Sequence, residues 1–207
     1  MKNLKTAFPL IIIPLLLSVS FVKILDDTVK KRNRKIEYLV VHYTANLHKN
    51  ADAVANARYL QRKSHAGTHY CIDDVQTIQC TEERNVAYAV GDRKWAGFIP
   101  KFWLKGKITN NNSLNFEMCL GPSRNDSLII DRTAQYIGWQ LVNKGLDISH
   151  VVRHHDVSGK QCPKFNYQDE WVQADEDRAW KDFLIIVDKY WKYHLNRKNG
   201  IQQLSRG

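Results

Sequence analysis

The chain has 207 residues, 43% of them hydrophobic and 25% charged, and a formal net charge of +10. This length points to one domain with a real core, and the composition excludes a disordered chain. The charge favours polyanionic partners (nucleic acid, anionic lipid or acidic wall polymers) without choosing among them.

The opening stretch MKNLKTAFPLIIIPLLLSVSFVKILDD sets Lys2 and Lys5 before an apolar run from Ala7 to Val22. This is the n-region and h-region pattern of an export signal. The run is short of the ~20 residues that a spanning helix needs, and Pro9 and Pro14 lie inside it. Ser18-Val19-Ser20 offers a weak small-x-small cleavage site. Residues 1–25 are therefore expected to be a signal peptide or an uncleaved membrane anchor. Either one puts the remainder outside the cytoplasm, secreted or held at the cell envelope. That location counts against nucleic acid and favours surface or wall polymers.

Residues 26–35, DDTVKKRNRK, are charged without an apolar period and read as a linker. The folded domain is expected over 36–195, followed by a polar, frayed tail at 196–207. IEYLVVHYT (36–44) is a β-rich apolar run and reads as a buried strand. ADAVANARYLQRKSH (51–65) reads as a helix with Ala53, Val54, Ala57 and Leu60 on one face. THYCI and QTIQC (68–72 and 76–80) flank Asp73-Asp74-Val75 as a hairpin. The segment 90–112 reads as a long basic, aromatic loop. In it Trp95, Phe102 and Trp103 could stack on sugar rings, or pack in the core. Lys94, Lys101, Lys105 and Lys107 could meet wall phosphates or peptide carboxylates, or simply be solvated.

SLNFEMCLG (113–121) is a further strand. SLIIDRTAQYIGWQLVNKG (127–145) is a helix with Asp126 as candidate N-cap and Gly145 as its stop. HVVRHH (150–155) reads as a short strand. DEDRAWKDFLIIVDKYWKYHL (175–195) reads as an amphipathic closing helix, acidic at its start as the helix dipole prefers. No internal repeat or second compositional block appears, and a monomer is expected. Alternating strands and helices give an α/β class with a central mixed sheet flanked by helices.

The stretch RHHDVSGKQCP (153–163) concentrates two histidines, a lysine and one of only four cysteines. A catalytic zinc takes three protein ligands and leaves one position for water, and His and Cys are suitable ligands. His154 or His155 with Cys162 could supply two ligands, and His42 at the end of an apolar strand could supply the third. The competing reading is a core histidine and a buried cysteine. Cys71, Cys80 and Cys119 read as free buried thiols, although an exported chain permits a disulfide.

VVHYT, THYCIDD, NNSLNFEMC and HHDVSGKQCP, in this order, resemble zinc-dependent N-acetylmuramoyl-L-alanine amidases of the type 2 family. That family is related to phage lysozyme-type amidases and to peptidoglycan recognition proteins. The resemblance spans about residues 36–195 and implies the family's mixed sheet with a groove over one face. It also implies zinc held by His42, His154 and Cys162, and hydrolysis of the amide between N-acetylmuramic acid and L-alanine in peptidoglycan. His154 is preferred to His155 because the family's ligand lies eight positions before the cysteine, and on a strand the two side chains would oppose. Glu117 matches a glutamate that serves as general base, and Lys160 a lysine that could stabilise the oxyanion.

This sequence departs from the family at two positions. Thr68 stands where another branch has a tyrosine, which favours Glu117 as the base. Asn115 stands where glycine is common, which bears on the local backbone. His69 matches a position that is not a ligand. The alternative function is a non-catalytic peptidoglycan-binding module of the same fold, which would lack a ligand. A third reading is a basic adhesion protein with a purely structural metal.

Overall fold

A computed structural model of the chain describes residues 21–23, 25, 30–62, 66–91, 104 and 106–204. The apolar run before residue 21, and Lys94, Trp95, Lys101, Phe102, Trp103 and Lys105, lie outside the described residues. Among the described residues, no helix is long and apolar enough to cross a membrane.

Six strands form one sheet: β1 (Phe21–Lys23), β2 (Tyr38–Tyr43), β3 (Tyr70–Ile72), β4 (Thr77–Gln79), β5 (Ser113–Met118) and β6 (Val151–Arg153). Their order is β1-β4-β3-β5-β2-β6. Only β3 and β4, the hairpin, run antiparallel, so the sheet is mixed as expected. The inner strand β2 is covered on both faces, which is why it reads as a continuous apolar run rather than an alternating one.

Helices α1 (Ala53–Gln61), α2 (Asp126–Lys144), α3 (His154–Ser158) and α4 (Gln173–Leu204) complete the fold. Asp52 caps α1 by accepting the Ala55 N–H at 2.7 Å. Asn125, not Asp126, caps α2 by accepting the Leu128 N–H. Asp126 instead accepts from the Gly121 N–H at 3.1 Å, so its carboxylate braces the preceding loop. Gly145 ends α2 in the left-handed conformation at φ 68°, where a side chain would be strained.

One face of the sheet carries the main core. Leu39, Val41, Tyr70, Ile72, Leu114, Phe116 and Met118 pack against Ile137 and Leu141 of α2 and Phe183 and Val187 of α4. Helices α2 and α4 approach closely at Gly138, where a Cβ would lie 2.8 Å from the Trp191 backbone nitrogen. The opposite face holds two smaller apolar groups. Ala53 and Ala57 of α1 cover Cys71, Ile78, Cys80 and Cys119. Val40 and Val152 meet Val90, Leu104, Ile108 and Val157.

Three local expectations are corrected. Residues 30–35, the described part of the segment expected to be a linker, contact the folded domain. Lys31 bridges Asn85, and Arg32 donates to the carbonyls of Glu83, Asn85 and Ser113 at 2.9–3.1 Å. A guanidinium has five donors in a fork, so it can satisfy carbonyls that the hairpin edge leaves open. The frayed tail is also corrected, because α4 continues through Leu204 and Lys198 reaches the Val142 carbonyl. Finally, the strand expected over 150–155 stops at Arg153, and His154 opens α3. Asp156 accepts the Arg153 backbone N–H at 2.9 Å, which favours a helical turn there.

Candidate metal centre

Parallel pairing decides which side chains share a face. His42 of β2 pairs with Glu117 of β5, and Val40 with Asn115. Val40 and Val41 also pair with Val152 and Arg153 of β6, so His154 emerges beside His42. His42, Glu117 and His154 thus gather at the C-terminal ends of parallel strands, the usual place for a ligand site in such sheets. They lie between the two small apolar groups, on the face away from α2 and α4.

His42, His154 and Cys162 are all 2% exposed. The Nδ1 atoms of the two histidines are 3.1 Å apart, and Cys162 Sγ is 3.9 Å from His42 Nδ1. All three donor atoms lie within 4.8 Å of one another. Tetrahedral zinc with Zn–N of about 2.0 Å and Zn–S of about 2.3 Å would set its ligands roughly 3.3–3.6 Å apart. The residues present therefore fit zinc. Burial, opposed by the Asn115 hydrogen bond and aided by the Lys160 charge, takes His42 down to about 3. Burial, then the charges of His42 and Lys160, takes His154 down to about 2. Both rings are therefore neutral and ready to ligate. Burial and the nearby Glu117 push the Cys162 thiol up, so binding a cation must release its proton.

His155 faces away, as expected, but for a helical reason. Successive residues of α3 are turned by roughly 100° instead of alternating. The His155 ring donates from Nδ1 to the Lys160 carbonyl at 3.0 Å and tilts against Trp171 at 5.2 Å. Its backbone N–H donates to the Cys162 carbonyl at 2.7 Å. His155 thus pins the loop that carries both Lys160 and Cys162.

Glu117 is partly buried, and its enclosed Oε2 has no hydrogen-bond partner within the protein. Burial raises its carboxyl to about 7, against the opposing charge of Lys160. Lys160 is exposed, and its charge is felt at His42, His154, Cys162 and Glu117 alike. Glu117 also borders a hollow of about 380 Å³ lined by Thr44, Ala45, Asn46, Asn56, Tyr59 and Leu60. The sequence pattern pointed only to packing for α1, because Asn56 and Tyr59 carry no spacing signal.

The remaining candidates separate. Thr68 is buried and donates to the Asn115 carbonyl at 2.9 Å, away from the reacting groups. His69 is buried beneath β5 and joins no metal cluster among the described residues. Asn115 leaves the strand geometry undisturbed: β5 is continuous, and Asn115 has no positive φ. Of the lysines of the basic loop, only Lys107 is described, with its ammonium 5.9 Å from the Tyr38 ring. All four cysteines are free thiols.

The family model described as N-acetylmuramoyl-L-alanine amidase matches residues 32–165, well over half of the chain. The chain belongs to the N-acetylmuramoyl-L-alanine amidase family. Relatives include the N-acetylmuramoyl-L-alanine amidase XlyA of Bacillus subtilis, 27% identical over 61% of this chain and 39% of XlyA. BlyA of the same organism, which carries the same description, is 34% identical over 62% of this chain and 36% of BlyA. The chain thus spans less than half the length of these curated relatives. In structure, the catalytic domain of XlyA superposes with a TM-score of 0.64 at 22% identity, covering 82% of this chain and 99% of that domain. Drosophila PGRP-LB, a more distant neighbour, gives a TM-score of 0.50 at 11% identity over 72% of this chain and 91% of its own. The amidase family and the peptidoglycan-recognition proteins therefore share this fold, as the sequence resemblance implied.

Proposed function

We propose that this chain is a zinc-dependent amidase that hydrolyses the bond between N-acetylmuramic acid and L-alanine in peptidoglycan. The observation that carries the reading is the convergence of three buried metal donors with a partly buried carboxylate on one sheet face. The amidase relatives named above support the bond cleaved. His42, His154 and Cys162 would hold the metal, which when bound acidifies a water and polarises the scissile carbonyl.

Glu117 does the proton work. Its carboxyl, raised to about 7, takes a proton from the attacking water and delivers it to the leaving alanine amine. Its unpartnered Oε2 is free for that exchange. The Lys160 ammonium offsets the negative charge that develops on the carbonyl oxygen. The hollow beside Glu117 takes the peptide or sugar next to the scissile bond. A non-catalytic module would need none of this pairing of base and ligands. The N-terminal sequence supports a site of action at the cell envelope, and the charge of +10 suits anionic wall polymers.

The test is digestion of purified peptidoglycan by the full chain, with the new ends read by mass spectrometry. Free L-alanine amino termini and intact glycan strands are expected. A chelator should abolish the release, and zinc should restore it. Products cut elsewhere, or full activity in demonstrably metal-free protein, would sink the reading.

A further inference from the structure

The face that carries the metal donors also carries a hydrogen-bonded row leading away from them. His42 Nε2 lies 3.1 Å from Asn115 Oδ1. The other end of the same amide, Asn115 Nδ2, lies 3.4 Å from His69 Nδ1 and 3.4 Å from Ser113 Oγ. The Asn115 backbone N–H donates to His69 Nδ1 at 3.1 Å, and His69 Nε2 lies 3.3 Å from the Asn85 carbonyl. Asn115, His69 and Ser113 are all fully buried.

Donor and acceptor rules fix each member of this row in turn. A backbone N–H can only donate, so His69 Nδ1 must be the bare, accepting nitrogen. His69 Nε2 then carries the proton and donates it to the Asn85 carbonyl, which can only accept. The bare Nδ1 requires the amino end of the Asn115 amide to face it. The carbonyl end therefore faces His42, so His42 Nε2 must carry a proton. His42 Nδ1 is left bare, and it is the atom that faces His154 and Cys162. Arg32 stands at the far end, with Nη2 3.0 Å from His69 Nε2 and 3.1 Å from the Asn85 carbonyl. Two donors cannot bond each other, so Nη2 spends its protons on the Asn85 and Ser113 carbonyls, both within reach. Arg32 thereby shares the Asn85 carbonyl with the ring and holds the hairpin edge in place.

We propose that Asn115 is a positioning residue for the metal: its carbonyl holds the His42 ring with Nδ1 bare, and His69 sets which way the Asn115 amide faces. The inference rests on the metal reading of the site above. Partners of this kind fix a ligating ring and its tautomer, and their loss weakens metal affinity by roughly 10- to 100-fold. Here the partner is a neutral amide two residues before the general base on the same strand. One strand thus supplies both the proton acceptor and the orienter of the neighbouring strand's ligand.

The experiment uses the full chain, zinc-free and zinc-loaded, with two readouts besides activity. Long-range proton–nitrogen NMR of the His42 ring reports its tautomer, and competition with a chromophoric chelator reports zinc affinity. The unsubstituted protein should show the Nε2–H form before zinc is added. Asn115→Leu, of similar size but without an acceptor, should mix the tautomers and weaken zinc binding by roughly 10- to 100-fold. Asn115→Asp keeps the acceptor toward His42 and should hold the Nε2–H form, while its second oxygen, set against the bare His69 Nδ1, should leave zinc affinity between that of Asn115→Leu and that of the unsubstituted protein. His69→Phe should give a smaller loss, since the amide then loses its guide. An Nδ1–H form in the zinc-free protein overturns the proposal, as does a loss in Asn115→Leu that Asn115→Asp does not partly rescue. So does unchanged zinc affinity in Asn115→Leu. If Asn115→Leu does not fold, the tautomer of the unsubstituted protein and the behaviour of Asn115→Asp still decide. Failure of the amidase reading is seen separately, because an inactive protein with the Nε2–H form and tight zinc binding leaves this proposal intact.

Discussion

On strand β5, Leu114, Phe116 and Met118 point to one face of the sheet, and Ser113, Asn115 and Glu117 to the other. The first set joins an apolar core sealed by α2 and α4, with Tyr70 and Phe116 stacked at 5.3 Å. The second set is polar: Ser113 and Asn115 are fully buried and find protein partners, while Glu117 is partly buried with an unpartnered Oε2. One face supplies the stability and the other uses it. A partly buried carboxylate and two bare imidazole nitrogens are unfavourable in isolation. They persist because the strands that carry them are fixed from behind. The two faces should therefore respond differently to substitution, pH and metal.

The largest expected effect is loss of the metal from the polar face with the fold intact. His154→Ala or Cys162→Ser removes a proposed zinc ligand, and each should lose bound zinc and essentially all hydrolysis. His155→Ala should keep zinc near one equivalent, because its ring pins the loop rather than the metal. Zinc per chain in the three purified variants decides this. If His155→Ala loses the metal and His154→Ala keeps it, the ligand assignment is inverted.

Next comes a change that separates metal binding from chemistry on the same face. Glu117→Gln keeps size and polarity but cannot accept the water's proton. Zinc content should stay near one equivalent while turnover drops by roughly 10²- to 10⁴-fold. Turnover at the normal rate would mean that another group is the base.

The contrast sharpens one residue earlier in the chain. Phe116→Ala empties a fully buried place on the apolar face. It should cost about 3–5 kcal/mol in denaturant unfolding, yet leave zinc stoichiometry unchanged at low temperature. If Phe116→Ala lost zinc while the protein remained folded, the two faces would be coupled more tightly than their separate packing implies.

The sequence showed these two faces unequally. Strands β2 and β5 stood out because buried central strands concentrate apolar and β-branched residues. Helix α2 was marked by Asp126, one residue past the actual cap Asn125, and by its Gly145 stop. The proposed ligands His42, His154 and Cys162, with Glu117 and Lys160, could be named from the ordered motifs that carry the family resemblance. Their company could not. Asn115 meets His42 only through parallel register between β2 and β5, which no spacing rule reveals. Arg32 sits in a run of basic residues that reads as solvated, and only the fold brings four carbonyls around it. Helix α3 spans five residues, too short for a periodic signal, so its histidines read as the end of a strand.

The smallest expected effect is a difference in how the two faces sense acid. In the zinc-free protein, burial holds His42 and His69 at about 3 and His154 at about 2, all below their ordinary 6.5. The unfolded chain therefore binds protons first as pH falls. The stability these rings depend on is complete above about 6.5 and is lost progressively toward about 3. Glu117 works in the opposite sense: its carboxyl is raised from 4.5 to about 7, so it favours the fold below 4.5 and loses that contribution as pH rises through 7. Three groups oppose one, so the net slope below pH 6.5 is toward instability in acid. Each uncompensated proton contributes about 1.4 kcal/mol per pH unit. Urea unfolding of zinc-free protein at pH 7 and pH 5 measures the slope. Phe116→Ala should lower both values by the same amount, since the apolar face does not titrate. His69→Phe should flatten the slope by close to one proton if it folds. Equal stability at the two pH values in the unsubstituted protein would show that these rings are not held neutral by the fold.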